Sequence, residues 1–122
     1  MNFIPTDAPL PEGTLQLDNT EDVLARAAEI RAHAAVALHF PKWTDGRAYS
    51  QAVLLRGRLH YAGEISATGD VMADMLPLLR RCGFDSVQMR ADQRLESAQR
   101  ALGFFDSHYQ TVLAERRREA PL

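Results

Sequence analysis

Apolar positions along this chain change their period several times, and the changes mark its elements. In "NTEDVLARAAEIRAHA", residues 19–34, Val23, Leu24, Ala27, Ala28 and Ile30 recur at helical spacing. Thr20 can cap that helix, and Glu21 and Asp22 sit in its first turn, where the dipole favours carboxylates. "AAVALHF" (34–40) is a continuous apolar run closed by Pro41, the mark of a strand buried on both faces. "FPKWTDGRAYSQ" (40–51) then turns into a second helix running to about Arg58. Its apolar face is Ala48, Ala52, Leu55 and Leu59 with Val53 alongside, and Thr44 or Asp45 is its cap.

"HYAG" is a turn, and "EISAT" (64–68) a second strand. "GDVMADMLPLLRRCGF" (69–84) reads as a helix capped by Asp70 and ended by a left-handed Gly83, with Phe84 making the accompanying apolar contact. Pro77 inside it predicts a kink or two abutting turns. "SVQM" (86–89) is a third strand, and "ADQRLESAQRAL" (91–102) a helix stopped at Gly103. "FFDSHYQTVL" (104–113) is a last strand or an extended segment. The opening residues carry Pro5, Pro9, Pro11 and Gly13 and read as an arm, with "TLQL" (14–17) a short edge strand.

This alternation predicts a small α/β domain of βα units, with a three- to four-stranded, mainly parallel sheet flanked by helices. Its expected limits are an extended arm over residues 1–19, the domain over 20–113 and a polar tail over 114–122. Every strand of a parallel sheet ends at the same edge, which is where ligands of open α/β sheets bind. The loops expected there are "PKWTDGR", "TGD" and "RADQR", bearing Lys42, Trp43, Thr44, Asp45, Arg47, Thr68, Gly69, Asp70, Arg90, Asp92 and Arg94. "HYAG" and "CGFD" belong at the opposite edge.

Charge and composition remove several function classes. The formal net charge of −2 over 122 residues gives no global attraction to nucleic acid or to an anionic membrane. The single Cys82 excludes an internal disulfide and a cysteine-held cluster or structural zinc. His33, His39, His60 and His108 show no metal-binding spacing, and His39 is expected to be buried and hydrogen-bonded. No dinucleotide or P-loop fingerprint is present, and Ser50 has no nucleophile elbow around it. The expectation is therefore no cofactor and no metal. With no leader and no run near the roughly 18 apolar residues of a membrane span, the expected location is the cytoplasm.

Capping accounts for Asp45 and Asp70. It does not account for Arg47, a cation in a first helical turn, which needs Asp45, Asp70 or a bound anion to offset the dipole. Cys82 reads as a structural thiol on the apolar side of its helix, after Arg80 and Arg81.

Two blocks go further: "FPKWTDGRAYSQAVLLRGRLHYAGEISATGDV" and "LLRRCGFDSVQM". They resemble a bacterial family of unknown function whose members are described as oxidoreductases of sulfite reduction, encoded beside sulfite reductase and other sulfate-assimilation enzymes. The match runs through Thr44, Asp45, Gly46, Arg47, Tyr49, Ser50 and Gln51, then Gly63, Gly69 and Asp70, then Leu79 to Asp85, and ends near "HYQ". It departs at "PKW" and at Pro77. The resemblance implies a role in assimilatory sulfite reduction. Because six-electron chemistry lives in cofactors, the expected role is that of an auxiliary which binds the sulfite reductase haemoprotein or its electron donor. The residues expected to bind are Lys42, Trp43, Thr44, Asp45, Arg47, Ser50, Gln51, Gly69, Asp70, Arg80 and Arg81. The alternative is a small enzyme or small-anion binder using Arg47 and the helix N-termini at the strand-end edge. A homodimer through the sheet edges is a further expectation.

Overall fold

Residues 35–40 alternate between two environments, and that alternation organises the fold. In the computed structural model, which describes residues 1–103, Val36, Leu38 and Phe40 are fully buried, while His39 is exposed. This strand, β3 (Ala35–Phe40), lies in a five-stranded sheet with β1 (Asn2–Phe3), β2 (Thr14–Leu17), β4 (Glu64–Gly69) and β5 (Ser86–Val87). The order is β1-β5-β4-β3-β2, and every pairing is parallel. The fold is thus α/β, as expected, with five strands instead of three or four. Both edge strands come from the opening residues: "TLQL" is the edge strand expected there, and Asn2–Phe3 is added at the other edge.

Among the described residues, four α-helices follow strands: α1 (Ala27–Arg31), α2 (Arg47–Gly57), α3 (Leu76–Cys82) and α4 (Leu95–Leu102). From β2 to β5 the chain steps across the sheet in one direction. Right-handed crossovers made in one direction put their helices on one face. The core agrees, because Ile30, Ala48, Ala52, Leu55, Leu76, Leu79, Ala98 and Leu102 from the helices share a single cluster with Val36, Leu38, Phe40, Ile65, Ala67 and Val87 from the sheet. Phe40 meets Tyr49 edge-on at 5.1 Å and Phe84 at 6.0 Å.

The connection from β1 to β2 steps the other way, so the same rule sends residues 4–13 across the opposite face. Gln88, which points away from the helices, holds that segment by donating to Pro5 O at 2.9 Å and Ala8 O at 2.8 Å. Ser66 and Ser86 also face this side; they are buried and share a hydrogen bond of 2.7 Å. The expectation that β3 is buried on both faces is corrected: helices cover one face, and the other carries small and polar side chains.

Local chemistry explains where the helices begin. The first is shorter than its periodicity predicts, because the Asp22 carboxylate accepts from Leu24 N and Ala25 N and closes a turn there. Leu24 is left partly exposed, and Val53 on α2 is exposed as well. Asp70 does not cap the third helix. Val71 and an extended Met72 separate it from a 3₁₀ turn, Ala73–Met75, which abuts α3. Pro77 then falls in the first turn of α3, where its missing N–H costs nothing. Gly83 ends α3 at φ 107°, and Phe84 N reaches back to Leu79 O at 3.1 Å. The segments 104–113 and 114–122 lie outside the described residues.

Candidate functional site

The loops after β3, β4 and β5 meet at one edge through Asp70. One of its carboxylate oxygens accepts from Trp43 N at 2.8 Å, and the other accepts from Arg90 Nη1 at 2.8 Å. Arg90 turns its other donors on Asp92 at 2.6 and 2.8 Å. Gln93 Oε1 accepts from Ala73 N, tying the last loop to the 3₁₀ turn. Asp70 thus staples three loops that are distant in sequence. Arg90 and then the Trp43 N–H hold its carboxyl below the usual carboxylate range.

Asp45 does the same for the loop after β2. It accepts from Asn19 Nδ2 at 2.8 Å and from Arg47 through Nε and Nη2, the latter at 2.7 Å. The N-cap residue of α2 is Gly46, not Thr44 or Asp45, but the Asp45 carboxylate also accepts from Arg47 N, the first helical N–H, at 3.2 Å. The Arg47 guanidinium holds the Asp45 carboxyl far below its ordinary value. The conflict between Arg47 and the helix dipole is therefore settled by a neighbouring aspartate.

Both carboxyls are depressed in the fold, so their contribution to stability is present above the ordinary carboxylate range and is lost as pH falls through and below it. Urea midpoints measured from pH 7 down to pH 3 are expected to fall below about pH 4. Asp45→Asn and Asp70→Asn should each flatten that fall; an unchanged pH profile in both would show that these pairs contribute nothing.

The other expected residues are scattered. Lys42, Trp43 and Thr44 are exposed on the loop after β3, and Ser50 is exposed on α2. Gln51 is buried and donates to Asp18 O at 2.8 Å and Glu21 O at 3.0 Å. Arg80 and Arg81 stand in the last turn of α3, at the opposite edge of the sheet. Cys82 is half-buried, and burial pushes its thiol up, as a structural thiol requires. His39 is corrected from buried to exposed, because it alternates onto the face without helices; among the described residues its ring has no hydrogen-bond partner.

One residue escaped sequence reasoning. Arg56 is 7% exposed and makes five hydrogen bonds: two to Gly83 O, one each to Tyr61 O and Gly63 O, and one to Asp85. Asp85 also accepts from Ile65 N at 3.0 Å. This knot closes the edge opposite the strand-end loops. Its signal was in the pattern, since Arg56 lies on the same helical stripe as Ala48, Ala52 and Leu55.

Among the described residues, no three His, Cys, Asp or Glu side chains are grouped to hold a metal ion, and no helix is long and apolar enough to cross a membrane. No curated protein and no solved structure gives a significant match to the chain. A family model described as "Bacterial protein of unknown function (DUF934)" matches residues 14–119. That span takes in β2 through α4 with both stapled edges, and the chain belongs to this bacterial family.

Proposed function

We propose that the protein is a cytoplasmic auxiliary of assimilatory sulfite reduction that binds the sulfite reductase haemoprotein or its electron donor and performs no redox step itself. The observation that carries this reading is Trp43. The chain's one tryptophan is 54% exposed, yet the Asp70 carboxylate fixes its backbone N–H on a loop stapled to two others. A large apolar side chain on a rigid, polar-rimmed edge suits a protein partner, because tryptophans anchor interfaces and lose little entropy when pre-positioned. Arg90 gives Nε, Nη1 and Nη2 to Asp70 and Asp92, and Arg47 gives Nε and Nη2 to Asp45, so most of the cationic donors at this edge are spent on carboxylates, which favours a partner surface over a small anion.

Affinity capture from sulfate-grown cells tests it. The haemoprotein or its donor should co-purify with the wild-type chain, and Trp43→Ala should weaken capture by about 30-fold, the effect of losing an anchor worth about 2 kcal/mol. Unimpaired growth on sulfate after deletion, with normal sulfite reductase activity, would sink the proposal.

A further inference from the structure

We propose that the helix-free face of the sheet carries a second site, a cleft at the ends of β2, β3 and β4 that binds a small organic cation, an amine or a guanidine. The cleft is open to solvent, with a volume of about 310 Å³, and its polar lining is Gln16, Asp18, Glu21, His39 and Thr68, with Ala37 as part of its floor. That volume is at the lower end of small-molecule sites, and the carboxyl end of a parallel sheet is where they form.

Register assembles the lining. His39 is directly opposite Thr68, and Asp18 follows Leu17, whose partner is Leu38, so Asp18, His39 and Thr68 are level across three strands. All three alternate away from the core. Gly69 seats the imidazole: a Cβ there would lie 2.6 Å from His39 Cε1 and 2.8 Å from Nδ1. Among the described residues, the side chains of Gln16, His39 and Thr68 make no hydrogen bond, so their polar atoms are available to a ligand.

The chemistry of the lining selects the ligand class. Every polar side chain in the cleft can accept a hydrogen bond, two are carboxylates, and no lysine or arginine lines it. Glu21 shares Arg26 at 3.3 Å with Glu29, whereas the Asp18 side chain makes no ion pair among the described residues. An anion would meet two carboxylates, of which only Glu21 has a cation beside it, Arg26. An ammonium or guanidinium group is all donor, and it matches the Asp18 carboxylate, Thr68 Oγ1, Gln16 Oε1 and a ring nitrogen of His39. This site lies on a different face from the helices and needs no partner protein, so it stands apart from the reductase reading.

The test is an NMR titration that follows the His39 imidazole while agmatine is added, with sulfite and phosphate as anions for comparison. A saturable shift with agmatine and none with the anions is expected. Asp18→Asn, whose backbone carbonyl still holds Gln51, should weaken agmatine binding about tenfold or more, the effect of losing one charge-assisted hydrogen bond. The isosteric Thr68→Val repeats the test without altering charge and should weaken binding less. No saturable shift with agmatine, equal shifts with sulfite, or full binding in both variants would overturn the proposal.

Discussion

Arg56→Met should lose about 3–5 kcal/mol of stability. The change keeps the aliphatic stem that packs against Gly83 and removes the guanidinium. Three buried carbonyl oxygens, those of Tyr61, Gly63 and Gly83, then lose their donors, and the Asp85 carboxylate loses its cation. A buried pair contributes modestly against an apolar replacement of both partners, but removing one partner leaves a charge and several carbonyls desolvated. Urea denaturation should show a lower midpoint with an unchanged slope, and thermal unfolding should begin upwards of about 10 °C earlier. Arg56→Lys should fall between, since one ammonium cannot span both sides of the knot. A loss below about 1 kcal/mol in Arg56→Met would mean that water replaces the guanidinium at this edge.

Gly69→Ala should cost about 2–3 kcal/mol. The residue has φ 92°, where an L side chain is strained, and its Cβ would lie 2.4 Å from Phe40 O as well as against the His39 ring. The Phe40 carbonyl cannot simply retreat, because it accepts from Asp70 N at 2.7 Å. The strain therefore passes to Asp70 and through it to Trp43 N, so the emission of the single tryptophan should shift as well. Gly13→Ala provides the comparison. It also has positive φ, 84°, but nothing lies within 4 Å of its added Cβ, and it should cost only about 1 kcal/mol. Equal losses in the two variants would show that backbone strain alone accounts for Gly69.

These two positions explain part of what the motif blocks encode. Gly63, Gly83 and Asp85 are all contacted by Arg56, and Gly69 is contacted by His39 and Phe40. Much of the signature text thus specifies closure of the two sheet edges. Trp43 and Lys42 lie in the "PKW" at which the resemblance drawn from the sequence departs. The interface proposed on Trp43 would accordingly be particular to this chain, and capture with its own organism's haemoprotein is the informative experiment.

Periodicity by itself determined the α/β class, the approximate extents of β3, α2 and β4, the left-handed end of α3 and the meeting of three loops at one edge. Each follows from spacing of apolar residues or from turn chemistry within a few residues, which is local information. The left-handed Gly83 was readable from "LLRRCGF", and the bond from Phe84 N to Leu79 O accompanies it in the structure. Periodicity also predicted a capping role for Asp70, and a cap is the default for an aspartate after a Gly at a strand end.

Only the tertiary structure decided the rest. Asp70 instead receives Arg90 and Trp43 N, groups 20 and 27 residues away, and no local rule carries such a pairing. The strand order, which sends every helix to one face, depends on how β1 and β2 find opposite edges. Two residues at Asn2–Phe3 are too few to announce a strand until β5 offers them a ladder. His39 was placed in the core because its run is apolar; the missing helix layer on its face put it in solvent instead. Arg56 was the reverse case, a charge to which the sequence assigned no role and which the fold buries, because three carbonyls and a carboxylate converge on it from separate segments.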